Sequence, residues 1–501
     1  MSGAARFPTS PGLSAPGGGE GDQAVAARSG EQFLRGLNDD REVWLGRERI
    51  SDAATHPALK GAAHSIAAVF DLQHERADVC LMPDPETGEP INVSHMIPRS
   101  REDLVRRHAG LQAIAEYTVG LMGRTPDYVN VTYAGFAGCH GEWSHSGNER
   151  GAENLIRYQK HMARADLSLT HAIIHPTTDR ARGAVPLGVD NVSLHKVCDT
   201  EHGIVVRGAR VLATLAPFAD DVAVYPAAPM PDANPTHALS FSIPMATPGL
   251  KFLCRDSVSV PGTLFDNPFS SRFDEQDAFV IFDNVEVPRD RVFIDGNLAV
   301  YNGILRSSWW PNIMQQAMIR AETKLTFAWG IASRMAEAIN ASLPPALQML
   351  GEIWTFAQFA RSSLRAAEVD AREYGDGVWF PAVEPLIALR ASLPRWFPRV
   401  NEIIRELGSH NLLTTPTEAQ FANPALRPVL DEMLGGAGEM GAEERARIFR
   451  LAWDFAGSAL ASRNEQYERF YLGSGSRNLM HAHQRGDRQR ADRLVDRFLN
   501  E

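Results

Sequence analysis

The chain is poor in cysteine: 4 in 501 residues, at Cys80, Cys139, Cys198 and Cys254, with no two in a Cys-x-x-Cys pair. That scatter excludes the common zinc-ribbon and dithiol motifs and reads as free thiols in a reducing compartment. A Gly-x-Gly-x-x-Gly turn after a strand-like run is also missing, and Gly435 to Gly438 lacks the Lys-Ser/Thr of a phosphate loop. Neither a Rossmann site nor a P-loop is therefore expected. No apolar run is long enough to span a bilayer, and the N-terminus has no positive end followed by an apolar stretch. These absences predict a cytoplasmic protein without membrane attachment. Positive charge is short as well: 50 Lys and Arg against 61 Asp and Glu give a net charge of −11. With no basic stripe, nucleic acid is not an expected partner.

What is present has three textures. Residues 1–30 are rich in Gly, Ser, Ala and Pro and carry almost no large apolar side chains, which predicts a disordered extension. From 31 to 165 the pattern is mostly helical: a short strand pair around Val43 to Leu45 and Arg49-Ile50, a helix opening near Pro57, and another behind Ser100, whose hydroxyl with Asp103 makes a capping-box variant. Residues 166–297 alternate as successive strands and predict a β-barrel-like, antiparallel domain. Beyond 298 long stripes of helical period predict a C-terminal bundle, with Pro394 and Pro398 kinking or splitting its third helix. Helices, then strands, then helices is an α+β order and not alternating βαβ.

The stretch with most chemistry is Leu121 to Tyr128, Leu-Met-Gly-Arg-Thr-Pro-Asp-Tyr. Gly123 readily leaves helical geometry, and Pro126 drives Thr125 into extended backbone, so Arg124 and Tyr128 flank an ordered turn. The same letters also serve an ordinary helix stop with an arginine salt bridge. Val129 to Gly151 follows as a loop-like stretch holding Cys139, His140, Glu142 and His145. No familiar ligand spacing appears among them, so no metal site is expected.

Several separate blocks make the chain resemble the oxygenase component of two-component, flavin-dependent 4-hydroxyphenylacetate 3-monooxygenases and their phenol and chlorophenol monooxygenase relatives. The blocks are Met122 to Tyr128, Thr170 to Ile174, Ser270 to Glu275, Phe282 to Pro288, Trp453 to Ser458 and Tyr467 to Tyr471. The resemblance spans about residues 31–495 and implies an acyl-CoA dehydrogenase-like fold. It implies reduced FAD, with FMN as the alternative flavin, supplied by a separate NAD(P)H:flavin reductase and reacting with O2 to a C4a-hydroperoxide. The distal oxygen is then transferred ortho to the hydroxyl of a phenol, either a 4-hydroxyphenylacetate-like or a tyrosine-derived one, free or tethered to a carrier protein. It further implies a homotetramer built through the C-terminal bundle.

The family pattern falls on Arg124, Tyr128 and His171 for the substrate pocket. Flavin contacts fall on His171, Ala172 and Ile173, on Thr177, Thr178, Asp179 and Arg180, on Thr214, and in the C-terminal segment on Arg463, Tyr467 and Tyr471. After Thr214 the chain reads Leu215-Ala-Pro-Phe218, where the family pattern has Asn and Ser; recognition of the substrate tail departs there. Pro217 to Pro235 is the expected lid.

The chemistry suits these residue types. A phenol near pKa ~10 beside a histidine near ~6.5 needs either proton acceptance or a hydrogen bond to the developing phenolate. Arg124 stays cationic and its planar donors stabilise that oxygen. An acyl-CoA dehydrogenase-type or a dehydratase enzyme on the same fold is the competing expectation; a dehydratase of the hydroxybutyryl-CoA kind would need an iron–sulfur cluster.

Overall fold

The computed structural model describes residues 27–176, 192–230, 235–305 and 309–500. Most of the expected disordered extension lies outside them. Ala27 to Gly30 do not follow that expectation: Ala27 is buried, Ser29 caps the helix Gly30–Gly36, and the Arg28 guanidinium bonds both carboxylate oxygens of Asp220 at 3.2 and 2.7 Å.

The N-terminal helices form where the pattern places them. Lys60–Glu75 buries Ala62, Ala63, Ile66 and Phe70 on one stripe. Arg101–Tyr117 starts at Ser100, whose hydroxyl accepts the Asp103 N–H at 3.0 Å. The stretch expected as a loop is instead mostly helix, Pro126–Gly138 followed by His140–Trp143. All thirteen residues of Pro126–Gly138 are buried. A helix enclosed on every side needs no polar face, so its sequence carries no amphipathic period to read.

The strands make two large sheets, beside two small two-stranded ones. One has six strands in the order Glu48–Ile50, Glu42–Leu45, Leu250–Cys254, Asp277–Pro288, Gly203–Thr214, His195–Asp199. The other has four: Val292–Asp295, Leu239–Pro244, Asp221–Val224, Leu169–His171. Pairing is mainly antiparallel, with two exceptions. Glu42–Leu45 runs parallel to Leu250–Cys254, so the early strand pair joins the central sheet, and Leu169–His171 runs parallel to Asp221–Val224. Part of the expected lid is therefore core: Ala216–Phe218 is a buried turn, Asp221–Val224 is a fully buried strand, and 231–234 lie outside the described residues.

The bundle comprises Trp309–Ala338, Pro344–Val369, Val383–Gly408, Ala442–Ala456 and Ala459–Phe470. Val383–Gly408 continues through Pro394 and Pro398 as one helix instead of splitting. One apolar core links all the layers, from Phe33 and Tyr133 through Phe241 and Phe282 to Met314 and Phe449. The arrangement is the acyl-CoA dehydrogenase type, mixed helix and sheet with the β layers between helical ones.

Candidate active site

Three elements meet at the turn 118–125. It connects Arg101–Tyr117 to the enclosed helix, with Thr125 extended (φ −50°, ψ 152°) ahead of Pro126 at the first helical position. Its backbone is held by the Glu275 carboxylate, which accepts the N–H groups of Gly123 at 2.9 Å and Arg124 at 3.0 Å. From the bundle, Ala459–Phe470 lays Arg463, Tyr467 and Glu468 along the turn, with Tyr471 just beyond it. Gly123 is required there: a Cβ would stand 2.5 Å from Cε1 of Tyr467.

The side chains of Arg124, Tyr128 and His171 converge. Arg124 is buried, its guanidinium carbon is 3.8 Å from the Tyr128 ring centroid and 4.3 Å from that of Tyr471, and its Nε–H donates to His171 Nε2 at 3.3 Å. Tyr128 meets the His171 ring edge-on at 5.6 Å. His171 ends the strand Leu169–His171 and its Nδ1 bonds the Tyr225 hydroxyl. Because Nε2 accepts from arginine, the ring proton sits on Nδ1 and points to Tyr225. Burial first, and then the Arg124 charge, push the His171 pKa well below its ordinary value, so the imidazole is neutral.

Arg463 and Thr214 share Asp277. Arg463 bonds Asp277 at 2.5 and 2.9 Å and Glu275 at 2.7 Å, and the Thr214 hydroxyl donates to Asp277 at 2.7 Å. The Tyr467 hydroxyl is buried without a hydrogen-bond partner, and the Tyr471 hydroxyl donates to the Gly123 carbonyl at 3.3 Å. Ala172 is fully buried, and the Ile173 carbonyl accepts from Arg210. Thr177, Thr178, Asp179 and Arg180 lie outside the described residues.

Sequence reasoning missed Glu275, Asp277, Tyr225, Arg320 and Glu468. Glu275 stands inside a quoted block, Ser270 to Glu275, but a carboxylate in a turn carries no signal of the backbone it will clamp. The buried Arg320 bonds both oxygens of Glu468 at 2.8 Å and the Gly120 carbonyl at 2.8 Å, with Lys324 joining at 2.9 Å. Burial alone would raise the Glu468 carboxyl, but those two cations hold it down at about 2.

The residues present fit a flat flavin ring. Ile174 and Leu212 stand about two-fifths exposed beside Thr214, and the orphaned Tyr467 hydroxyl offers a bond. Three non-glycine residues around Thr214 are held left-handed, Leu212 (φ 65°), Leu215 (φ 76°) and Gln276 (φ 55°). Such backbone persists only where its surroundings over-determine it, and it clusters at sites. Among the described residues no three His, Cys, Asp or Glu side chains gather as a metal cluster, and no helix is long and apolar enough to cross a membrane.

Fold and site together define a class: a protein of acyl-CoA dehydrogenase-like architecture with an arginine, a histidine and a tyrosine meeting between sheet and bundle. Residues 29–294 match the 4-hydroxyphenylacetate 3-hydroxylase N-terminal family and 305–500 its C-terminal counterpart. A 4-hydroxyphenylacetate 3-monooxygenase oxygenase component of Thermus thermophilus is 36% identical, covering 89% of this chain and 92% of that protein. A 4-nitrophenol 2-monooxygenase oxygenase component of a Rhodococcus species is 32% identical over 90% of this chain and 86% of its own length. A crystal structure of the oxygenase component of 4-hydroxyphenylacetate 3-monooxygenase with FAD and 4-hydroxyphenylacetate superposes with TM-score 0.89 at 34% identity, covering 95% of this chain and 98% of that one. The chain belongs to the 4-hydroxyphenylacetate 3-hydroxylase family. An archaeal 4-hydroxybutyryl-CoA dehydratase shares the fold, with TM-score 0.85 at 18% identity.

Proposed function

We propose that this protein is the oxygenase component of a two-component, reduced-flavin-dependent monooxygenase that hydroxylates a phenol ortho to its hydroxyl. The observation that carries the reading is the convergence of Arg124, Tyr128 and His171 in a chain of this family. Reduced FAD, when bound, supplies activated oxygen for transfer of one atom to the ring. His171, Ala172, Ile173, Thr177 to Arg180, Thr214, Arg463, Tyr467 and Tyr471 would hold it. Of these, Arg463 and Thr214 act through Asp277 as much as by contact, since both are bonded to it.

The chain's own part is to make the ring electron-rich. A phenol hydroxyl placed between Arg124 and His171 donates to Nε2 of the imidazole, while the guanidinium N–H groups turn onto its oxygen. Two roles are open to His171, full proton acceptance or a hydrogen bond to developing phenolate. Its depressed pKa supports the second: burial and an adjacent cation weaken the base, whereas Arg124 would stabilise the oxyanion. Tyr128 packs against both groups and confines the ring. Enclosure by the buried Tyr225 and the half-buried Tyr467 and Tyr471 restricts water and strengthens each of these bonds.

The partners follow the same reading: a cytoplasmic flavin reductase, a small phenol, and further copies of this chain. In support of a homotetramer, the helix Arg488–Leu499 buries none of its residues and leaves Leu494, Val495, Phe498 and Leu499 more than half exposed. A carrier-tethered phenol is the substrate named for one relative, from Streptomyces globisporus, at 31% identity. The test is to mix the protein anaerobically with reduced FAD, admit 18O2 and offer para-substituted phenols. Catechol carrying one labelled atom is expected; oxygen use that yields only hydrogen peroxide with every phenol contradicts the reading.

A further inference from the structure

His171 has two ring nitrogens, and only one is turned toward the cation of the site. Nε2 accepts the Arg124 Nε–H at 3.3 Å and is the atom offered to a phenol. Nδ1 points the other way, onto the hydroxyl of Tyr225. A neutral imidazole carries a single ring proton, and which nitrogen holds it is set by what the other one meets. An Nε2 that bears the proton has no lone pair for a phenol hydroxyl. The partner at Nδ1 therefore governs what Nε2 can do.

Tyr225 is held in place for that task. It stands one residue past Asp221–Val224, the strand that runs parallel to Leu169–His171 with Ala223 opposite His171. The Ala172 N–H donates to the Ala223 carbonyl at 2.8 Å, which fixes the backbone of the histidine against the strand that delivers the tyrosine. The Tyr225 ring is buried, edge-on to His171 at 5.5 Å and to Phe136 of the enclosed helix at 5.4 Å. Burial, with Tyr128 adding to it, holds the Tyr225 phenol well above its ordinary pKa, so it stays un-ionised and cannot take the ring proton for itself. With the Arg124 N–H excluding a proton at Nε2, the Tyr225 oxygen accepts from Nδ1–H. Resting on the hydroxylase reading above, we propose that Tyr225 is a positioning residue: by accepting the Nδ1–H it keeps His171 in the tautomer whose Nε2 lone pair faces the substrate hydroxyl. No proton passes through Tyr225 in this role.

The experiment reads the tautomer directly, by 15N NMR of the ring nitrogens in histidine-labelled, FAD-loaded protein, with the spectrum of His171→Asn assigning the two signals. Wild type is expected to show a neutral His171 with its proton on Nδ1; a proton on Nε2 overturns the proposal without any variant being made. Tyr225→Phe keeps the ring and removes only the hydroxyl. The His171 proton is then expected to move toward Nε2, and kcat with 4-hydroxyphenylacetate and 4-nitrophenol to fall about 10- to 100-fold, the range for a buried donor left unpaired. FAD binding should be unchanged and KM should move less than kcat. An unmoved tautomer or an unmoved rate overturns the proposal, since a tyrosine that only fills space changes neither. If Tyr225→Phe does not fold, 3-fluorotyrosine at the same position weakens the oxygen as an acceptor and should shift the Nδ1 signal; an unshifted signal overturns the proposal. Failure of these tests in a protein that hydroxylates phenols removes only this inference. If wild type hydroxylates neither phenol while the tautomer still moves in Tyr225→Phe, the hydroxylase reading falls and the hold of Tyr225 on the imidazole stands.

Discussion

Two kinds of arginine, largely withdrawn from solvent, stand where the sheets meet the helices. Arg320 and Arg463 are matched by carboxylates: Glu468 for the first, Glu275 and Asp277 for the second. Among the described residues Arg124 and Arg210 have no carboxylate partner: Arg124 meets tyrosine rings, the Gly123 carbonyl and an imidazole, and Arg210 the Ile173 carbonyl and the Tyr301 hydroxyl. The matched pair fastens the bundle helix Ala459–Phe470 to the turn and the sheet, which is architecture. On the proposed reading, the unmatched Arg124 keeps donor capacity for an oxygen that arrives from outside. A cation satisfied by a carboxylate has little left to offer a phenolate, so on that reading separating the two tasks allows a site to be both rigid and reactive.

Breaking the architectural side produces the largest effect. Glu468→Ala leaves Arg320 and Lys324 buried without their counter-ion, and a loss of about 3–5 kcal/mol of stability is expected from denaturant melts. A smaller loss would mean that the network is solvated and the contrast between the two arginine pairs is overdrawn. On the reactive side, Arg124→Lys keeps the charge but loses the planar fork. Product per O2 consumed and kcat should fall ~10²–10³-fold, the usual effect of deleting an oxyanion donor. Intact coupling of oxygen use to product would class Arg124 with the architectural arginines.

Gly123→Ala sharpens the boundary between the regions, since its Cβ drives into the Tyr467 ring. A stability loss of about 1–3 kcal/mol from overpacking is expected, with KM for the phenol rising alongside it. The smallest effect is a pH slope. Folded His171 stays neutral because its pKa is depressed, whereas the unfolded chain takes up its proton below about pH 6.5. The unfolded state then binds more protons, so acidification destabilises the protein. His171→Asn should flatten that acid limb by up to ~1.4 kcal/mol per pH unit in melts between pH 6.5 and 5.5; parallel limbs would show that the imidazole titrates in the fold.

Much of this was legible in the sequence, for physical reasons. The capped helix at Ser100, the early strand pair and the long bundle stripes declare themselves because each is half exposed and carries a period. The turn Leu121 to Tyr128 was legible because Gly123 and Pro126 restrict the backbone whatever surrounds it. The enclosed helix Pro126–Gly138 was not, having no polar face, and the buried strand Asp221–Val224 lies inside the stretch whose sequence predicts a lid. The left-handed leucines Leu212 and Leu215 were equally silent, since tertiary packing imposes a conformation their side chains do not favour. Convergence of Arg124 with His171, 47 residues apart in sequence, follows from family resemblance and not from any local pattern.

The most direct measurement is the ionisation of a chromophoric phenol bound to the FAD-loaded protein, followed by its absorbance across pH. Arg124 beside a neutral His171 predicts that the bound phenol titrates at lower pH than the free one, and that the shift disappears in Arg124→Met. A bound phenol whose pKa is unchanged or raised in the wild-type protein would contradict the account.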